Sequence, residues 1–104
     1  MGKEIKGEEY QGWSSYETWA VALWISNDRG MYETVNEIVD QIVGDKLEES
    51  PDKDSRTQQE VDIADAIKAY IEEMKPELNG VWADLVNGAL GEVDWFEIAQ
   101  SQIR

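Results

Sequence analysis

Two residue types with reactive side chains are absent from this sequence, cysteine and histidine. Without cysteine the chain forms no disulfide, has no thiolate nucleophile and builds no cysteine-ligated zinc site. Without histidine it lacks the commonest general acid–base group, the usual base for an activated serine and the imidazole metal ligand. Only carboxylates, lysines and tyrosines are left as candidates for catalysis, so we expect a protein that is not an enzyme and needs no cofactor or metal.

Basic residues are scarce as well. The chain has 9 lysines and arginines against 23 aspartates and glutamates, a formal net charge of -14. Nucleic acids and anionic membranes repel such a surface, so we expect neither as a direct partner. No apolar run approaches the roughly 18 residues of a membrane span, and the N-terminal residues are too polar for a signal peptide. The sequence therefore favours a soluble protein of the cytoplasm.

One stretch organises the chain, residues 12–30, GWSSYETWAVALWISNDRG, which holds three of the five tryptophans. Ser14 and Glu17 have the S-x-x-E spacing of a capping box, so we expect a helix from about residue 15. Apolar residues occupy most of its surface: Tyr16, Trp19, Ala20, Val21, Leu23, Trp24 and Ile25. We therefore predict that this helix lies in the middle of the core, with Trp19 and Trp24 largely buried. A stacking surface for a ligand is the alternative.

Four further helices follow from apolar residues at helical spacing. After a turn at residues 28–30 we predict helices over about 31–43, 57–75 and 81–90, and a last one capped by Asp94 and Glu97. Pro76 ends the third helix of the chain, because the residue before a proline is pushed out of the helical region. The residues expected to face inward are Met31, Tyr32, Val35, Ile38, Val39, Ile42, Val43, Val61, Ile63, Ala64, Ile67, Tyr70, Ile71, Met74, Trp82, Leu85, Val86, Ala89, Trp95, Ile98, Ala99 and Ile103.

Five helices and no convincing strand predict an all-α protein, a single compact bundle. Residues 1–11 lack periodicity and are expected to form a flexible N-terminal arm, which leaves 12–104 as one helical domain. The charged segment 45–55 is the one long exposed connection. Its residues Asp52 and Asp54 suggest a calcium loop, but Thr57 and Ile63 stand where that loop needs glycine and glutamate.

The organising stretch carries a resemblance to known proteins. Residues 12–24 fit the segment G-W-[ST]-x-Y-E-T-W-x-V-x-L-W, which is shared by a group of small, largely uncharacterised proteins of bacteriophages and mobile elements. A weaker match is the ending V-D-W-x-E-I-A at residues 93–99. The resemblance implies a phage or plasmid origin, and with it a possible anti-defence role, but it brings no established activity.

Acidic residues line the second and third predicted helices. Residues 33–73 hold 13 acids and 4 bases, so 9 of the 14 net negative charges lie there. Acids at i, i+3 and i, i+4 repel one another, and two such helices side by side present about one charge per 2.5 Å, against about one per 1.7 Å for duplex DNA. The candidate partner-binding residues are Glu33, Glu37, Asp40, Asp62, Asp65, Glu72 and Glu73. A merely solvated face is the alternative.

These observations favour a non-enzymatic inhibitor that mimics nucleic acid and occupies a basic channel of a host defence system of the restriction or CRISPR type. An adaptor that binds a host protein through apolar or aromatic contacts is the second hypothesis. Carboxylate-based hydrolysis through Glu17, or through Asp62 with Asp65, is the weakest, because nothing nearby tunes or orients those groups.

Overall fold

The computed structural model describes residues 10–44 and 53–103. The expectations for the N-terminal arm up to residue 9 and for residues 45–52 lie outside this part of the chain. The helices are α1 (Tyr16–Asn27), α2 (Arg29–Val43), α3 (Lys53–Met74), α4 (Gly80–Gly91) and α5 (Trp95–Gln102). With no strand among the described residues, the predicted all-α bundle of five helices is confirmed.

Four of the helices form a closed ring. α1 packs on α2, α2 on α3, α3 on α5, and α5 returns to α1. The core inside the ring consists of Ile25, Val35, Val43, Ile63, Ala64, Ile67, Val93, Ile98 and Ala99. α4 lies at the edge of this arrangement and contributes no buried residue. Burial of the aliphatic core is the main source of stability in such a bundle.

The orientation predicted for α1 is wrong in part. Its buried residues are Thr18, Ala22 and Ile25, on one face of the helix, while Trp24 is 61% exposed. Tyr16 and Leu23 are exposed as well, and Trp19 is half-buried. Because α1 is apolar on nearly all sides, its spacing does not indicate which face packs. The packed face of α1 carries smaller side chains than the exposed tryptophan and tyrosine, and smaller side chains allow neighbouring helices to approach more closely.

The ends of α1 also differ from the prediction. Ser15, not Ser14, is the N-cap, and its Oγ accepts a hydrogen bond from the Thr18 amide at 3.1 Å. The predicted turn at residues 28–30 is a single residue, because Arg29 and Gly30 are already helical. Asp28 closes α1 and caps α2, accepting from the Met31 amide through Oδ1 at 3.0 Å. A corner of one residue joins the two helices.

The apolar stripes of α2 and α3 are confirmed in their central parts, while Tyr32, Val61 and Met74 are exposed rather than buried. α3 begins at Lys53, four residues before the predicted start, and ends before Pro76 as expected. Residue 52 lies outside the described residues, and 53–55 are helical rather than part of a loop. The inward face predicted for α4 is wrong for Trp82, Leu85 and Ala89, which are exposed, while Val86 is half-buried. In α5, buried Ile98 and Ala99 match the prediction.

None of the helices in the described ranges is both long enough and apolar enough to cross a membrane.

Candidate protein-binding surfaces

The seven acidic residues predicted to bind a partner are all exposed: Glu33, Glu37, Asp40, Asp62, Asp65, Glu72 and Glu73. On α2 the three acids lie opposite the buried Val35, because a helix turns by about 100° per residue. On α3, Asp65 and Glu72 lie opposite Ile63 and Ile67 by the same geometry, whereas Asp62 and Glu73 lie on the flank of that helix. Both helices therefore direct carboxylates to solvent, as the sequence predicted.

Most of this charge has no partner among the side chains that the structure describes. The one ion pair among the side chains of residues 10–44 and 57–103 joins Arg29 Nε to Glu33 Oε2 at 3.2 Å, and both side chains are mainly exposed. Such a pair contributes little to stability. Asp62 Oδ1 accepts a hydrogen bond from Gln58 Nε2 at 2.9 Å, which leaves its charge in place. The surface of α2 and α3 thus stays strongly negative.

The structure brings only part of the acidic set together. A shallow groove between α2 and α3 is lined by Ile38, Ala66, Ala69, Tyr70, Glu72 and Glu73. Glu72 and Glu73 stand at this groove. Glu33, Glu37 and Asp40 lie further around α2, since Ile38 occupies the side of that helix that faces the groove. The acids form two rows on neighbouring helices rather than one continuous band.

A second surface is apolar, and the sequence suggested apolar contacts only through the adaptor hypothesis, without locating them. An open groove of about 320 Å³ runs between α1, α4 and the end of α3, and we call it the apolar groove. Its lining consists of Ala20, Val21, Trp24, Met31, Ile71, Met74, Lys75, Val86 and Leu90. Lys75 supplies the only charged group, and its Nζ already donates a hydrogen bond to Asn87 Oδ1 at 2.9 Å.

The outer side of α4 adds to the apolar surface. Trp82 and Leu85 are 64% and 58% exposed, and Val81 is similarly open. Scattered surface leucines are common, but large aromatic and aliphatic side chains gathered on one helix mark an interaction site. The sequence did contain a signal for this. Val81 and Leu90 lie on opposite sides of α4 by helical geometry, so one neighbouring helix cannot cover all its apolar residues.

A polar junction joins the start of α1 to the start of α5. Thr18 is fully buried, and its Oγ1 accepts from the Asp94 amide at 2.8 Å while lying 2.8 Å from Ser15 Oγ. Ser15 Oγ also donates to the carbonyl of Glu92 at 3.0 Å. Asp94 caps α5 by accepting from the Glu97 amide, which confirms the predicted cap. These contacts fix two helix ends against each other.

The residues that the sequence singled out for a capping box or for chemistry have the following surroundings. Ser14 donates its hydroxyl to Glu97 Oε1 at 2.8 Å, so it does not pair with Glu17 in a capping box. Within the described residues, no three acidic side chains are grouped so that they could hold a metal ion. Glu17 is half-buried and, by helical geometry, on the same side of α1 as Ala20 and Trp24. What the surfaces offer is contact with another molecule.

The chain belongs to a family of unknown function, DUF7249, whose model matches residues 6–99. The match spans both the tryptophan-rich α1 and the start of α5, the two elements that the polar junction joins. No curated protein and no solved structure matches the chain.

Proposed function

We propose that this protein is a small, non-enzymatic inhibitor that binds a basic nucleic-acid channel of another protein by presenting the acidic faces of α2 and α3. The observation that carries the proposal is the exposure of all seven acids, with a single weak ion pair among them in the described residues. A charge without a partner among the described residues is available to a basic surface of another protein. The two acidic rows correspond to the phosphates of a nucleic acid.

Such an inhibitor is encoded by a phage or mobile element. It acts in the cytoplasm against a host defence system of the restriction or CRISPR type. The resemblance in residues 12–24 supports this origin. Attraction between the acidic faces and a basic channel acts over about 8 Å at physiological ionic strength and weakens as salt is added. Nucleic acid then competes with the inhibitor for one site, while the inhibitor itself binds no nucleic acid.

The experiment is a displacement assay with labelled duplex DNA on purified restriction and CRISPR effector complexes. The test variant combines Glu37→Lys, Asp40→Lys and Asp65→Lys, exposed residues whose side chains make no hydrogen bond among the described residues. The control variant combines Glu77→Lys, Asp84→Lys and Glu92→Lys, exposed acids elsewhere, and changes the net charge equally. We expect the wild type and the control to displace DNA and the test variant to fail. Equal loss in both variants would leave only a non-specific charge effect and reject the mimic.

A second candidate function is the adaptor, and the exposed apolar surface of α4 and Trp24 favours it. An adaptor of this kind binds a host protein through apolar contacts, with the negative charge serving solubility. The same acidic test variant separates the two functions, because an adaptor keeps its partner when Glu37, Asp40 and Asp65 are reversed.

A further inference from the structure

We infer that the apolar groove binds a basic amphipathic helix of another protein. The inference rests on the second candidate function, the adaptor, and names both its binding site and the chemistry of its partner. It uses residues other than those of the acidic faces.

The shape and lining of the groove suit the apolar side of a helix. α1 supplies Val21 and Trp24, α4 supplies Val86 and Leu90, and the end of α3 supplies Met74. A helix laid between two others presents anchors at i, i+3, i+4 and i+7 to such a surface. The methionines, Met31 and Met74, adapt to side chains of different shape. A volume of about 320 Å³ accommodates such anchors.

Two other occupants fit less well. A small polar ligand needs groups that fix its orientation, and the only charged one in the lining, Lys75, is already bonded to Asn87. An extended peptide needs a strand edge to pair its backbone, and the described residues contain no strand. A helix satisfies its own backbone hydrogen bonds, so it enters an apolar groove without leaving backbone N–H and C=O groups unpaired.

The negative charge of the protein indicates that the partner helix is basic. Glu17 lies three, four and seven residues before Ala20, Val21 and Trp24, so it is on the same side of α1 as these lining residues, although it does not itself line the groove. The whole chain carries a net charge of -14. A helix flanked by lysine and arginine is attracted to this surface, whereas a second copy of the chain brings the same negative charge and is repelled.

The test uses three synthetic peptides of about 18 residues, long enough to form a helix on binding. The first has leucine and tryptophan on one helical face and lysine on the other. The second replaces lysine with glutamate, and the third keeps the composition of the first in a scrambled order. Isothermal titration calorimetry at physiological ionic strength gives the affinities. We expect the first peptide to bind about tenfold or more tightly than the other two.

Variants place the binding in the groove. Trp24→Ala with Met74→Ala removes two partly exposed lining side chains, and we expect it to weaken binding by about tenfold or more. Tyr32→Ala is the matched control, an exposed aromatic residue outside the groove lining, and it should bind as the wild type does. If the double variant melts early, Met74→Ala alone replaces it.

Several results overturn the inference. It fails if no peptide binds, if the scrambled peptide binds as well as the amphipathic one, or if the groove variants bind normally. It also fails if sedimentation shows a dimer that the groove variants lose, since the occupant is then a second copy. Binding that depends instead on Trp82 and Leu85 rejects the groove but keeps the adaptor function. The inhibitor function is judged separately by the acidic variants.

Discussion

α4 and α5 are neighbours in the chain with very different places in the fold. Both are at least half apolar, yet α5 buries Ile98 and Ala99 completely while α4 buries nothing. The N-terminal caps of the two helices differ as well, and the buried helix has the more complete cap. Asp94 caps α5 through its side chain, and its amide is held by Thr18, whereas Asn79 at the start of α4 makes no side-chain cap bond. The helix with polar contacts to another helix, α5, is thus also the buried one. Apolar content alone does not predict which of the two helices is buried.

The comparison also separates stability from binding. The apolar residues of α5 are used inside the protein, and those on the outer side of α4 remain available to a partner. We expect substitutions to fall into two groups accordingly, and four of them test this division.

Ile98→Ala is expected to have the largest effect. Removing a fully buried isoleucine side chain costs about 2–5 kcal/mol through lost burial and the cavity left behind, a large share of a small domain's stability. Urea unfolding followed by circular dichroism gives the free energy of unfolding. A loss below about 1 kcal/mol would contradict the central position of α5 in the core.

Thr18→Val removes the hydroxyl that ties α1 to α5 and keeps the shape of the side chain. The Asp94 amide loses its acceptor, so we expect a cost of about 1–3 kcal/mol. Hydrogen exchange of that amide is the specific measurement, and it should accelerate. Thr18→Ser retains the oxygen and serves as the control, with the amide still protected. Equal exchange in both variants would show that the contact is not formed in solution.

Ser15→Ala tests the cap that the structure places one residue after the predicted one. The loss of the Thr18 amide bond and of the bond to the Glu92 carbonyl should cost about 1 kcal/mol. Ser14→Ala is the matched control and should cost less, since its hydroxyl bonds Glu97 at an exposed position. The melting temperatures of the two variants show which substitution costs more stability. The reverse order would restore Ser14 as the cap.

Leu85→Ala should have the smallest effect on folding. At 58% exposure its loss should change the free energy of unfolding by no more than about 0.5 kcal/mol. The melting temperature should stay close to that of the wild type. A loss as large as that of Ile98→Ala would mean that α4 packs on the protein through its outer side, and the comparison with α5 would no longer hold.

The sequence was informative where the signal is local. The stop before Pro76, the cap at Asp94 and the exposure of the acids on α2 and α3 each depend on a few neighbouring residues, and each is observed. The seven acidic site residues were therefore located correctly as surface groups. Whether a partner uses them is a matter for the displacement assay.

What the sequence missed depends on contacts between distant residues. Thr18 looks like a polar interruption of an apolar helix, and only the Asp94 amide, 76 positions away, explains its burial. Trp24 looks like a core residue because of its size, but three helices surround the apolar groove without closing over it. For α4 the helical spacing showed that apolar residues lie on opposite sides, but it did not show which side finds a neighbour.

The polar junction has a consequence for the order of folding. It joins residues separated by 76 to 83 positions, so the start of α1 gains its contacts only after the start of α5 has been synthesised. α1 and α2, joined by the single residue Asp28, can pair much earlier because the loop between them is short. We therefore expect α1 and α2 to pair first during translation, and the ring to close when α5 has been synthesised.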